Sequence, residues 1–257
     1  MIGSRLKIFL IALCLLIASS GCASAGPCTD AQGRPACLRI LFIGNSYTYV
    51  NDLPTVFAEL AVSGGHPVET GMAATGGWTL AQHASSADTF AAIRSSKWNF
   101  VVLQEQSEIP SLPQSRTQAM YPAVRSLAGQ IRAAGATPML FITWAHRDGW
   151  PENGLKSYEA MQAQIDQGYL LIAEEQNLPA APVGQAWWTA TRQNPPLDLW
   201  QADGSHPTVQ GTYLAACVFY AVIFRQSPVG STFLGDLPQE TATTVQRIAA
   251  NAVLNTP

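Results

Sequence analysis

Short apolar runs alternate with longer amphipathic segments along this chain, and no other feature of the sequence limits the fold as strongly. Apolar residues at intervals of three and four between the runs are typical of helices packed on a core. Strands that alternate with helices indicate βαβ units, which predict a three-layer α/β/α sandwich around a mostly parallel five-stranded sheet, with a strand order that periodicity does not determine. The predicted strands are 38–43, 67–72, 99–104, 138–143 and 180–183.

The predicted helices follow from capping residues and from apolar spacing. Asp52 is a suitable N-cap for a helix over 53–62, and Pro54 fits its first turn. Trp187 and Trp188 are predicted to begin a polar, proline-rich stretch that continues to Ser205. The other predicted helices are short segments before residue 95 and longer ones over 120–131, 155–172, 209–223 and 245–252.

Length and charge narrow the classes of protein. A chain of 257 residues suits one large domain. Its net charge of −3 offers no basic surface for nucleic acid, so no nucleic-acid partner is predicted. The sequence contains no Walker loop, HExxH motif or paired CxxC motif. We therefore predict no metal and no other cofactor.

The first residues have the pattern of an export signal. Arg5 and Lys7 precede an apolar segment over 8–18 that is too short to span a bilayer. We predict a signal over 1–25 and a single domain over 26–257. An Ala-Ser-Ala cleavage site at 23–25 competes with a lipobox-like sequence that would place a lipid on Cys22. The protein is thus predicted to be periplasmic, secreted or an outer-membrane lipoprotein, with a membrane contact only through such a lipid.

Cysteine placement agrees with export. Cys28 and Cys37 bracket a segment with glycine and proline, which a disulfide could close in an oxidising compartment. The alternative is a pair of free thiols. Cys217 shares a predicted helix face with aliphatic residues and is expected in the core.

Two polar motifs lie at positions suited to catalysis. Gly44, Asn45 and Ser46 end the first strand, and the carboxyl edge of an open α/β sheet is where active sites occur. Asp203 and His206 share a loop before a late helix. A nucleophilic serine needs a base within hydrogen-bonding reach and a third group that orients the base. The alternative is two ordinary polar turns. The chain has no G-x-S-x-G motif of an α/β-hydrolase elbow.

Three blocks of the sequence together resemble the SGNH/GDSL hydrolase superfamily, in particular an exported bacterial branch with a GNS serine block and an LQxxS third block. The blocks are GNSYT at the first strand, Gly77 after the second, and DGSHP before the late helix. The resemblance implies a flavodoxin-like sandwich with Ser46 as nucleophile, His206 as general base and Asp203 as its orienting partner.

The resemblance also implies an oxyanion hole. Its donors would be the amides of Ser46 and Gly77, with Gly76 as the alternative glycine, and a side-chain amide from the third block. This chain has no asparagine there, so the resemblance places Gln106 in that role, with Gln104 as the alternative. A glutamine amide donates hydrogen bonds as an asparagine amide does.

The sequence therefore predicts an exported, metal-free serine esterase that acts on a small-molecule or glycan ester, with acetylated carbohydrate among the candidates. The alternatives are an acyltransferase with the same triad and a non-catalytic glycan-binding surface protein. For several further residues, the sequence does not decide between a contact with the substrate and an ordinary structural role. They are His83, His146, Trp144 and the candidate sugar platform of Trp78, Trp187, Trp188 and Trp200.

Overall fold

The computed structural model describes Cys28 and residues 37–193 and 197–255. The predicted signal over 1–25, including Cys22, lies outside the described residues. Cys28 and Cys37 form the predicted disulfide, with Cα atoms 4.9 Å apart. Cys217 is fully buried, as predicted. Within the described ranges, no helix combines the length and the apolarity that a membrane span requires.

The core of the molecule is a five-stranded, all-parallel sheet with the strand order β2-β1-β3-β4-β5. The central strands are apolar along most of their length because helices cover both faces of the sheet. This arrangement confirms the predicted fold class. The strands are β1 (Leu38–Gly44), β2 (Val68–Ala74), β3 (Phe100–Leu103), β4 (Thr137–Phe141) and β5 (Ala180–Ala181).

Helices form the two outer layers. One group comprises α2 (Leu53–Ser63), α8 (Val183–Thr191), α9 (Val209–Phe224) and α10 (Gln239–Leu254), which pack against one another. The other comprises α3 (Leu80–His83), α4 (Ala87–Arg94), α6 (Tyr121–Ala133) and α7 (Tyr158–Gln176). Shorter elements are α1 (Ser46–Tyr49), α5 (Pro113–Ser115), the π-turn Arg116–Met120 and the 3₁₀ turns Ile109–Ser111 and Pro151–Asn153.

One predicted segment was wrong. Trp187 and Trp188 do not begin an irregular stretch but lie within α8. Ala186, Trp187 and Ala190 are fully buried and form the inner face of this helix. The helix has no side-chain N-cap and follows Pro182, so the usual start signals are missing from the sequence. Burial of its aromatic face stabilises the helix instead.

The strand order places a crevice at the carboxyl ends of β1 and β3. From β1 the chain crosses to β2 on one side and then returns to β3 on the other. The loops that leave β1 and β3 therefore diverge, and ligands of open α/β sheets bind in such a crevice. Ser46 follows β1, and Gln104, Glu105 and Gln106 follow β3.

Candidate active site

Ser46 is the first residue of α1 and directly follows the tight turn that ends β1. Asn45 caps this short helix, and its Oδ1 accepts a hydrogen bond from the Tyr47 amide. A side chain at Gly44 would collide with Oε1 of Gln104 and Oγ1 of Thr48, so only glycine fits where the strand ends. The turn holds the half-buried Ser46 at the mouth of the crevice.

Ser46, His206 and Asp203 form one chain of hydrogen bonds. Ser46 Oγ lies 2.9 Å from His206 Nε2, and His206 Nδ1 lies 2.6 Å from Asp203 Oδ2. Because an ionised carboxylate only accepts, Nδ1 carries the hydrogen in this arrangement. Nε2 of a neutral His206 is then free to accept the proton of the Ser46 hydroxyl.

Asp203 is held as a carboxylate. Partial desolvation raises its pKa, but the amides of Ser205 and His206 and the His206 ring all donate to it, and the net effect lowers the pKa to about 2. The carboxylate is therefore charged throughout the neutral range. Such a carboxylate can hold the imidazole in one orientation and would stabilise an imidazolium.

Hydrogen bonds to Ser205 hold the loop that carries Asp203 and His206. Trp144 Nε1 donates to the Ser205 carbonyl at 2.9 Å, and the Ser205 hydroxyl lies 2.7 Å from the Tyr47 hydroxyl. Trp144 is buried and stacked between Tyr47 and Trp187, at centroid distances of 4.4 Å and 4.0 Å. Trp144 is thus a core residue that supports the loop. The structure favours this role over a contact with the substrate.

A cavity of about 300 Å³ beside Ser46 is also lined by Gly76, Gly77, Gln106 and His206. In the described part of the chain, nothing accepts a hydrogen bond from the amides of Ser46 or Gly77. Gly77 has a φ of +71°, which favours glycine over other residues. Free amides at one cavity are what a developing oxyanion requires. Gly76 lines the same cavity, so it stays the alternative to Gly77.

Gln106 and Gln104 have different surroundings. Gln106 Oε1 accepts from the amides of Glu108 and Ile109, which leaves Nε2 with one long contact of 3.4 Å to Ser107 Oγ. Gln104 is fully buried, and its Nε2 already donates to Asn45 Oδ1 and to the Glu105 carbonyl. Of the two glutamines, therefore, only Gln106 lines the cavity with a side-chain donor that is nearly free.

The two candidate histidines, His83 and His146, lie in different places relative to the cavity. His83 is buried, with Nε2 2.8 Å from the Gly44 carbonyl and Nδ1 2.8 Å from Thr89 Oγ1, so it is a structural residue. Burial lowers its pKa, despite the contact with Gly44. His146 is half-buried beside the cavity, with Nε2 3.2 Å from Ser107 Oγ.

The tryptophans do not form an exposed platform. Trp187 is fully buried, which excludes it from such a surface. Trp78, Trp188 and Trp200 are half-buried, and Trp188 stacks on Tyr158 at 5.6 Å. Most of their ring area therefore packs within the protein.

Sequence reasoning missed several polar residues at the site. Tyr47, Ser107 and Ser205 line the cavity, and the buried Glu105 accepts a hydrogen bond from the amide of Gln106, which also lines it. Tyr47 and Ser205 are adjacent to predicted catalytic residues, and this adjacency was the one signal available. Ser107 is the serine of the LQxxS block, whereas Glu105 gave no signal beyond its place at the polar end of a strand.

Comparisons with known proteins identify relatives of this fold. No family model and no curated protein matches the sequence. Among solved structures, a Slackia heliotrinireducens protein provisionally described as an SGNH hydrolase is 31% identical, with a TM-score of 0.62, and the match covers 73% of this chain and 99% of that protein. A DUF4886 family protein from Bacteroides uniformis is 20% identical over 85% of this chain and 95% of its own, with a TM-score of 0.72. An acetyl xylan esterase is 13% identical over 72% of this chain and 100% of its own, with a TM-score of 0.58.

Proposed function

Because this chain belongs to the SGNH hydrolases, which are serine hydrolases that act on esters, we propose that it hydrolyses carboxylic esters with Ser46, His206 and Asp203 as its catalytic triad. The observation that carries the proposal is the pair of hydrogen bonds, 2.9 Å and 2.6 Å long, that links the three side chains at the edge of a cavity with free amides.

The proposed reaction has two steps. Ser46 Oγ attacks the ester carbonyl carbon while His206 Nε2 takes the hydroxyl proton. When the tetrahedral intermediate collapses, His206 returns that proton to the leaving alcohol, and the acyl group stays on Ser46. Water then attacks the acyl-enzyme with His206 again as base, which releases the acid and restores the serine.

The proposed oxyanion hole consists of the Ser46 and Gly77 amides and Gln106 Nε2. Negative charge develops on the former carbonyl oxygen in both steps, and fixed donors stabilise it more strongly in the transition state than in the ground state. The two free backbone amides and the nearly free Nε2 support this assignment.

The cavity favours a short acyl group on a polar alcohol. Its lining includes the hydroxyl-bearing residues Tyr47, Tyr49, Ser107 and Ser205, and its volume of about 300 Å³ is at the small end for ligand sites. A long acyl chain would need an extended apolar surface, whereas a sugar offers partners for hydroxyl groups. We therefore propose acetylated carbohydrate as the substrate class, which is also the class that the acetyl xylan esterase's name indicates.

We further propose that the protein is exported. The apolar segment over 8–18 and the Cys28–Cys37 disulfide support this proposal. The mature N-terminus distinguishes the two processing routes: a free terminus after residue 25 indicates ordinary cleavage, and a lipidated Cys22 indicates a lipoprotein.

A panel of activated esters from acetyl to octanoyl, assayed beside acetylated polysaccharides, tests the proposed substrate class. We expect kcat/KM to be highest for acetyl and to fall as the acyl chain lengthens, with release of acetate from the polysaccharide. Transfer of the acyl group to an added sugar in preference to water would indicate an acyltransferase. Glycan binding without turnover of any ester would contradict the proposed function.

Replacement of Gln106 by alanine should lower kcat about 10²–10³-fold with little change in KM, since one oxyanion donor is lost. Gln106→Asn should recover part of this loss, because its donor lies one methylene short. Gln106→Glu is the matched control, because it keeps the acceptor for the Glu108 and Ile109 amides but has no donor. It should be at least as impaired as Gln106→Ala, because its carboxylate also repels the developing oxyanion, and near-normal turnover by either variant would contradict the assignment.

A further inference from the structure

Glu105 is a buried acid that the proposed reaction does not use. Its side chain is fully buried, and Oε2 has no hydrogen-bond partner among the described residues. Burial raises its pKa to about 7, against the lowering effect of the hydrogen bonds from the Leu80 and Gln106 amides. A carboxyl group in such a place destabilises the fold relative to a neutral residue, so its position calls for a reason.

One oxygen of Glu105 joins two separate segments. Oε1 accepts from the Leu80 amide at 2.9 Å and from the Gln106 amide at 2.7 Å. Leu80 is the first residue of α3, three residues after Gly77. The same oxygen therefore connects the segment that carries Gly77 with the segment that carries Gln106, while the Glu105 amide donates to the Tyr169 hydroxyl of α7 at 3.0 Å.

A second side chain connects the Gly77 segment to the serine turn. Asn45 Nδ2 donates to the Trp78 carbonyl at 3.0 Å, and Asn45 Oδ1 accepts from Gln104 Nε2 at 2.9 Å. Hydrogen bonds thus link all three loops that carry the proposed oxyanion donors to one another. Within this set, Glu105 is the direct link between Gly77's loop and Gln106's loop.

We propose that Glu105 is a positioning residue that sets the separation of the Gly77 amide and the Gln106 side chain across the oxyanion hole. This inference rests on the proposed function. Donors stabilise a transition state only when they are held in place before the reaction, and displacement by about 1 Å can cost about 10²-fold in rate. Because these donors stabilise the transition state more strongly than the bound ester, the effect belongs mainly in kcat and not in KM.

Two variants of Glu105 test the proposal with an activated acetyl ester. Glu105→Ala should lower kcat about 10–100-fold at unchanged KM, and it should weaken inhibition by a boronic acid, whose tetrahedral serine adduct occupies the hole, by a similar factor. Glu105→Gln keeps an acceptor for both amides and should retain kcat within about tenfold. Asp166→Asn is the matched control, since Asp166 is a half-buried acid whose pKa is also raised by burial, to about 6. It should leave kcat unchanged.

A pair of variants at Leu80 tests the same link from its other end, in case Glu105→Ala does not fold. Leu80→Pro removes the donating amide hydrogen at a first helical position, where proline is tolerated, while Leu80→Ala shortens the side chain and keeps that hydrogen. We expect kcat of Leu80→Pro to be about tenfold or more below that of Leu80→Ala, at equal KM.

The outcomes separate this inference from the proposed function. Loss of thermal stability in Glu105→Ala with normal kcat and normal boronic-acid inhibition would overturn the positioning role, as would equal kcat in the two Leu80 variants. Either result would leave the triad intact. If the wild-type protein hydrolyses no ester, or if Ser46→Ala is as active as wild type, the proposed function itself fails.

Discussion

Replacement of Ser46 by alanine should lower kcat for an activated acetyl ester on the order of 10⁶-fold, the usual effect of losing a triad nucleophile. The substitution removes the one oxygen that forms the acyl-enzyme. The fold should persist, because the side chain is half-buried and, among the described residues, its hydroxyl makes a single hydrogen bond, to His206. We expect the free energy of unfolding to change by about 1 kcal/mol or less. Steady-state kinetics and thermal unfolding of the same preparation measure both quantities.

Two other serines provide matched controls for this prediction. Ser107 and Ser205 also line the cavity, and the Ser205 hydroxyl lies against Tyr47. Because neither hydroxyl is bonded to His206, Ser107→Ala and Ser205→Ala should each retain activity within about tenfold. If one of them loses all activity while Ser46→Ala remains active, the nucleophile has been assigned to the wrong serine.

Replacement of His206 by alanine should lower kcat nearly as far as Ser46→Ala, because no other described group lies within hydrogen-bonding distance of Ser46 Oγ. Asp203→Asn should lower kcat by less, on the order of 10⁴-fold, since the imidazole remains present but loses the partner that fixes its tautomer. The measurement is kcat at a pH well above the pKa of Asp203, which is about 2.

Two further variants test whether His206 acts together with Ser46 and whether its effect is specific. The double variant of Ser46 and His206 to alanine should be no slower than Ser46→Ala alone, because the two residues act as one unit. His146→Ala is the control for loss of a histidine near the cavity, and it should retain activity within about tenfold. A His206→Ala protein that keeps substantial activity, beside an inactive His146→Ala protein, would move the base to His146.

Local sequence patterns were sufficient for the elements that carry the proposed triad. The apolar run of β1 ends in glycine, asparagine and serine, and the loop Asp203–His206 precedes a strongly apolar helix that is buried from Gly211 to Ala221. Each of these signals depends on a few adjacent residues, and the structure preserves each of them. The strand order is different in kind, because strand pairing is a non-local property that periodicity does not determine.

The remaining features depend on contacts between distant parts of the chain. The helix with Trp187 has weak start signals and is stabilised by burial of its aromatic face. Gln104 and Gln106 are both possible donors in the sequence, and only the tertiary structure distinguishes the one that holds Asn45 from the one that lines the cavity. Glu105 is similar, because its role follows from a hydrogen bond to Leu80, which is 25 residues away.

The position of a covalent adduct tests the central claim most directly. A serine-directed fluorophosphonate reacts only with a serine that is activated by a base, and mass spectrometry of a proteolytic digest identifies the residue that carries the label. We predict one label per chain, on the peptide that contains Ser46, and no label after Ser46→Ala. A label on Ser107 or Ser205, or a label that persists in Ser46→Ala, would contradict the proposed nucleophile.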